Sequence, residues 1–225
     1  MAGQTPHLRR GAQVDPKRLF YSDQNIALTK QVTIPAGYGY LPAGTVMGKI
    51  SESTNRAGQF VPYAVQAPTA GLAFLGGAYL TQDGAVSAEC HMVLEDSYMF
   101  AVGDHLGAVD SDATPIDLGA VTAIDRTTYS HKAVVTATND VTAAITVANG
   151  GMVFIQTDAS TPFSTAAGIL LTGVDTGYGE EADGGQGVVV LSNAILYKGL
   201  IPNLDAGGLA DLTWATEDGQ FLILR

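Results

Sequence analysis

From residue 31 onward the chain alternates short apolar runs with turn residues. "QVTIP" reads as the start of a strand that Pro35 ends or confines to a sheet edge. "GTVMGKIS" sets Val46, Gly48 and Ile50 against Thr45, Met47 and Lys49, the period of two that marks a half-buried strand. "FVPYAV", "GLAFLGGAYLT" and "AVSAECHMVL" follow at hairpin-like spacing, and Gly76-Gly77 inside an apolar run predicts a bulge or bend. Residues 95–157 hold five further strand-like runs, "YMFAVGDHLGAVD", "DLGAVTAIDRTTY", "HKAVVTATND", "AAITVAN" and "MVFIQTD", the density of a small barrel or sandwich. "AAGILLTGVD" and the β-branched "VVVLSNAILY" come next, the latter a buried strand bending near Ser192-Asn193. "NLDAGGLADLTWATEDG" is the one plausible helix, with Leu209, Leu212 and Trp214 toward the core and Asp205 near its start, and "QFLILR" closes as a strand. The fold class expected is mainly β with a short C-terminal helix.

Residues 1–30 lack this texture. "SDQNIALTK" offers at most a turn of helix capped by Ser22 or Asp23, and the segment reads as an extended arm. Its charge also differs. Arg9, Arg10, Lys17, Arg18 and Lys30 face only Asp15 and Asp23, a balance of +3. The remaining 6 basic and 20 acidic side chains give −14, and the two parts sum to the net −11. A basic arm on an acidic body suggests a segment that lies on another surface, the alternative being a solvated tail.

With 225 residues, 46% hydrophobic and 15% charged, the chain has ample material for one large or two small packed domains. No apolar run approaches the roughly 20 residues that span a bilayer. The first residues lack the apolar centre of a signal peptide, so a soluble protein made in the cytoplasm, without membrane partners, is expected. The acidic balance argues against nucleic acid as a partner. The single cysteine, Cys90, has no disulfide partner and no metal-knuckle spacing, and reads as a small buried hydrophobe.

Candidate chemistry is sparse. The loop "GYGEEADGGQG", residues 177–187, has the glycines of a cradle, but Glu180, Glu181 and Asp183 repel phosphate and a strand follows where a phosphate loop needs a helix. A calcium site from those carboxylates is the second choice behind an exposed hairpin loop, because the spacing is not that of an EF-hand. In "FAVGDHLGAVDSDATPID", Asp104, His105, Asp110, Asp112 and Asp117 include an acid–His pair, but neighbours on a strand point to opposite faces. His7, His91, His105 and His131 sit in no nucleophile elbow. Tyr38, Tyr40, Phe60 and Tyr63 make a glycan-stacking face conceivable, with core packing preferred. No catalytic residue, no metal and no cofactor is assigned.

The stretch "YLPAGTVMGKI" resembles the entrance to the first core strand of phage head decoration, or capsid cement, proteins of the lambda-like family, in which an L-P-x-G-T-V-L-G step follows a flexible arm. Pro42 and Gly44 would form the turn, with Val46 and Gly48 opening the strand. "AAGILLTGVD" is similar to the family's A-x-G-I-L-x-x-x-V-D strand, "VVVLSNAILYKGLIPNLD" to the strand leading to the last helix, and "LADLTWATEDGQFLILR" to its helix–turn–strand ending. The resemblance covers about half the chain and rests on the order of the motifs.

It implies a β-barrel or sandwich-like decoration core from residues 31–94 and 158–225, an N-terminal arm over 1–30, and an inserted small β-barrel over 95–157, since the separation of the motifs exceeds an ordinary loop. It further implies a non-enzymatic virion protein, a homotrimer on the outer capsid surface that cements neighbouring capsomers of the major capsid protein. In that setting Arg9, Arg10, Lys17 and Arg18 would pair with acidic groups of the shell, and Leu19, Phe20 and Tyr21 would anchor in its apolar pockets. Two other classes compete: a host- or glycan-binding head appendage, marked by exposed aromatics on the 95–157 lobe, and a β-fold polysaccharide hydrolase, which needs two carboxylates meeting in a cleft.

Overall fold

Proline and glycine set the limits of the first strands. The computed structural model describes residues 19–20, 27–51, 53, 55–64, 76–84, 87–111, 114–142, 145–157, 164–213 and 222–224. Strand β1 (Leu28–Ile34) stops at Pro35, β2 is Tyr40–Leu41, and β3 (Val46–Lys49) emerges from the turn at Pro42–Thr45. There follow β4 (Phe60–Pro62), β5 (Gly77–Tyr79), β6 (Ser87–Val93), β7 (His105–Val109), β8 (Ile116–Ala120), β9 (Ala123–Asp125), β10 (Lys132–Val141) and β11 (Met152–Ile155). The chain then returns through β12 (Ala166–Leu170), β13 (Val174–Asp175), β14 (Gly185–Ser192) and β15 (Ala194–Leu196) to helix α1 (Ala206–Thr213) and β16 (Leu222–Leu224). Strand accounts for 46% against 12% helical, so the protein is mainly β, with one short C-terminal helix and a curled half-barrel sheet.

The principal sheet has the order β1-β14-β12-β3-β4 with antiparallel pairing throughout. Its inner strands are buried on both faces. Met47, Leu170 and Val189 join one core, whereas their neighbours Val46, Ile169 and Val190 join a second core on the opposite face. The period-two pattern of "GTVMGKIS" is therefore real but two-sided, with Met47 as fully buried as Val46. The valine run 188–190 lies on β14, between β1 and β12, and the expected bend falls at Asn193, which takes a left-handed φ of 58°.

The first core joins the principal sheet to residues 76–157. Ile34, Met47 and Ile50 pack in one cluster with Leu106, Leu118, Val135 and Val153. A three-stranded sheet β6-β10-β9 and a four-stranded sheet β5-β11-β7-β8 make up that region. The boundary expected at residue 95 divides both, because β6 pairs with β10 and β5 pairs with β11.

Three local expectations in this region are corrected. "AAITVAN" adds no strand over its described residues 145–149: Ile145 is buried, and Val147–Gly150 is a turn closed by the Gly150 N–H on the Val147 carbonyl. "DLGAVTAIDRTTY" instead splits into β8 and β9, with a bulge where the register slips between Leu106 and Gly107 opposite Gly119 and Asp117. "YMFAVGD" begins not as a strand but with a 3₁₀ turn at Glu95–Met99.

The second core packs α1, β15 and the 201–204 segment against the outer face of the principal sheet. Ile201, Leu204 and Leu212 are buried there, with Leu209 partly buried at its margin. Trp214 lies outside the described residues. Strand β16 runs parallel to β15. Phe20 bridges antiparallel to Leu196, and the Tyr197 N–H donates to the Leu19 carbonyl at 3.0 Å.

Candidate functional site

The stretches that suggested a function meet in the principal sheet. Thr45 closes the turn by donating its N–H (3.3 Å) and its hydroxyl (2.7 Å) to the Pro42 carbonyl. Gly44, third in that turn, has φ +92°, the conformation a type II turn demands there, and a Cβ on it would lie 2.4 Å from the Leu200 carbonyl oxygen. Further along β3, a Cβ on Gly48 would meet Thr157 Cγ2 at 2.5 Å and the Thr165 carbonyl at 2.8 Å. Gly48 pairs with Ala166, the first residue of the A-x-G-I-L stretch, and that strand in turn pairs with the valine-rich β14.

Polar side chains fasten this arrangement, and two of them, Asn203 and Asp211, were absent from the sequence expectations. Asn203 is fully buried: its Oδ1 accepts the Val46 N–H at 2.7 Å, and its Nδ2 donates to the carbonyls of Val46 (3.2 Å) and Tyr63 (3.1 Å). Tyr63 donates its hydroxyl to Asp205 Oδ1 at 3.0 Å, and the same oxygen accepts the Gly208 N–H at 2.7 Å, which makes Asp205 the N-cap of α1. Burial and the Asp205 carboxylate push the Tyr63 phenol well above its ordinary range. Asp211, later in α1, accepts the Ala166 N–H at 2.9 Å, so the helix is tied to β12 as well. The only sequence signal for Asn203 was its place in a Pro-Asn step ahead of the helix, a pattern that reads as a turn residue.

Of the residues assigned to capsid binding, Leu19 and Phe20 are placed in this chain's own second core, 0% and 7% exposed. They fill the space beside Val46, Leu196 and Ile201, so they are not free to anchor in a shell in this conformation. The arm expected over 1–30 also loses its end to β1, which starts at Leu28. Arg9, Arg10, Lys17, Arg18 and Tyr21 lie outside the described residues.

The other candidates resolve into structural roles. Asp104 is fully buried and accepts from Arg56 Nη1 (3.0 Å), the Ser53 hydroxyl (3.0 Å) and the Ala101 N–H (2.8 Å). Burial raises its carboxyl above the ordinary range, against the opposing pull of Arg56, Ala101 and Ser53. Asp110 accepts the Thr146 N–H, and Asp117 accepts from Gly119 and Gln156. Asp112 and His7 lie outside the described residues. Cys90 is buried and burial pushes its thiol up to about 12, while its neighbour His91 faces outward. Tyr38, Phe60 and Tyr63 are core residues and Tyr40 is half-buried, which disposes of a sugar-stacking face there.

The 177–187 loop is followed by β14, not a helix, and Tyr178 within it donates its hydroxyl to Asp96. A cleft of about 510 Å³ lies beside it, between Thr33–Ala36, Arg56, Gln59 and Asp183–Gln186. Its guanidinium is already paired with Asp104, and Asp183 brings the opposite charge to the same rim. Among the described residues, no group of three or more His, Cys, Asp and Glu side chains is placed to hold a metal ion, and no helix is long and apolar enough to cross a membrane. No known protein family, no curated protein and no solved structure matches this chain.

Proposed function

We propose that this protein is a structural virion component, a decoration protein that binds the outer surface of a phage capsid and cements neighbouring capsomers. The observation that carries the reading is the convergence of its motif stretches. The Pro42–Gly44 turn with β3, the A-x-G-I-L strand β12 and the valine-rich β14 come from separate stretches of the sequence yet are adjacent in one sheet, with the helix packed beside them and the terminal strand paired with β15. Such a protein works by adding interface, not by turnover, and each buried polar tie described above rigidifies the body that would present that interface.

In this reading the major capsid protein is the partner, the functional unit is a homotrimer, and neither cofactor, nucleic acid nor membrane takes part. Arg9, Arg10, Lys17, Arg18 and Tyr21 remain the shell-facing candidates, with Leu19 and Phe20 acting as the hinge point that fixes the arm to the body. The acidic body keeps crowded copies soluble on a shell.

The test is saturable binding of the purified protein to undecorated heads, read by co-sedimentation, with the mass in solution by light scattering. Fixed stoichiometry together with a gain in the heads' resistance to heat is expected, and a mass near three times 23.3 kDa for the free protein. Failure to bind heads at any stoichiometry would overturn the reading.

A further inference from the structure

The outer face of the β6-β10-β9 sheet carries a cleft that the decoration reading does not use. Strand β6 alternates Cys90 and Met92 inward with Glu89, His91 and Val93 outward, and β10 brings Lys132 opposite Val93. The chain after β5 forms a wall there, held by the Thr81 N–H on the His91 carbonyl at 2.8 Å. Thr81, Gln82, Val93, His131 and Lys132 line an open cleft of about 440 Å³, within the roughly 300–1,000 Å³ of small-molecule sites.

The chemistry of the cleft is specific. Lys132 Nζ lies 4.1 Å from the centre of the Tyr129 ring and 3.3 Å from His91 Nδ1. An ammonium only donates, so His91 accepts at Nδ1, and its Nε2, 3.5 Å from Glu89, carries the proton. Lys132 thus touches a ring face and one imidazole and keeps a further N–H for a ligand. Val93, which lines the cleft, and Tyr129, whose ring lies against the cleft's Lys132, remain 39% and 40% exposed.

The setting selects the ligand's charge. Among the described residues of 76–157 the basic side chains besides histidine are Arg126 and Lys132. Arg126 is engaged with Ser97 and the Phe100 carbonyl and lies over Tyr98. Lys132 therefore presents a single positive point on a body whose residues 31–225 carry 6 basic and 20 acidic groups. A polyanion is repelled by that field, and Glu89 adds to the repulsion, whereas a ligand with one carboxylate meets one ammonium.

We propose that this cleft binds a carboxylated saccharide. The carboxylate pairs with Lys132, His131 and Gln82 hydrogen-bond hydroxyls, and the C–H face of the sugar packs on Tyr129 and Val93. None of the residues assigned to capsid binding lines this cleft, so a head-binding assay and a saccharide titration can fail separately.

The experiment titrates the full chain by NMR with sialyllactose, methyl galacturonate and lactose, each acidic probe carrying one carboxylate. One or both carboxylated probes should bind, with lactose weaker by about tenfold or more, and the two arms separate a sialate from a uronate. Lys132→Gln and Tyr129→Ala, both at exposed or half-buried positions, should each weaken binding by about tenfold while leaving the unfolding midpoint near that of the wild type. Absence of binding by both carboxylated probes at millimolar concentration, equal binding of lactose, or indifference to both substitutions would overturn the proposal.

Discussion

The side-chain amide of Asn203 brackets Val46, accepting its N–H at 2.7 Å and donating to its carbonyl at 3.2 Å. This one residue stands in for a strand neighbour at the point where β3 leaves its turn, and it also reaches the Tyr63 carbonyl. Asn203→Leu removes an acceptor from a buried N–H and a donor from two carbonyls, a loss on the order of 3 kcal/mol. Asn203→Asp keeps the acceptor but sets a charge against those carbonyls, and should destabilise at least as much. Urea unfolding checks both, and a leucine variant as stable as the wild type would show the bracket to be incidental.

Leu19 and Phe20 fix the N-terminal segment to the second core. Deleting residues 1–18 should leave the unfolding midpoint nearly unchanged while weakening attachment to heads. Deleting 1–26, or the single change Phe20→Ala, removes buried apolar volume from the second core and should cost about 3–5 kcal/mol. Thermal melts of the three variants separate the cases. Equal stability of the two truncations would mean that the Leu19–Phe20 contact contributes nothing to the body.

Much of this architecture was legible in the sequence where one residue type has one local use. Pro35, Pro42 and Gly44 placed the first turns, the valine run placed a buried strand, and Asp205 with Leu212 placed the helix and its inward face. What sequence could not supply was pairing over distance. Gly48 looks like any strand glycine until Thr165 and Ala166 arrive beside it, and Asn203 looks like any turn asparagine until β3 does. "LFY" carries the same ambiguity, since apolar residues on an arm suit a partner's pocket and the chain's own core equally well. The cleft at Lys132 was hidden for a related reason: its lining residues Thr81, Val93 and Lys132 lie on three separate segments, and the side chains that hold Lys132, His91 and Tyr129, are themselves far apart in the sequence.

Asp104 gives stability a pH dependence with a definite sign. Its carboxyl is raised above the ordinary 3.8 by burial, so the folded state holds the proton more tightly than the unfolded chain does. The contribution of Asp104 is therefore fully present below the ordinary value and is lost as pH rises through the raised one. Relative to Asp104→Asn, the wild type should lose stability across that window and run parallel to it at higher pH. Urea unfolding at a series of acidic pH values reads the difference, and an opposite slope would show that Arg56 outweighs burial.

Cys90 serves as an internal reporter of unfolding. The thiol is 1% exposed and burial pushes it up to about 12, so almost no thiolate is present at neutral pH. A thiol reagent such as a disulfide dye should react at the rate of global or β6–β10 opening, and promptly in denaturant. Fast modification under native conditions would mean that this sheet opens far more readily than its burial implies.

Residues 95–157 are expected to be inseparable from the rest of the fold, because they share strands and a core with it. Removing them takes away β10 and β11, the partners of β6 and β5, and leaves Cys90, Met92 and Ala78 without the cluster that covers them. It also strips Leu106, Leu118, Val135 and Val153 from the face of the principal sheet that carries Ile34, Met47 and Leu170. The remaining chain would expose an apolar surface and two unpaired strand edges, the condition that leads to aggregation. Deletion of 95–157 behind a short linker is therefore expected to give insoluble protein, judged by the soluble fraction on expression and by size-exclusion chromatography. A soluble, monodisperse product would show that the principal sheet sustains its own core with only the second cluster behind it, and that the first core belongs to the lobe.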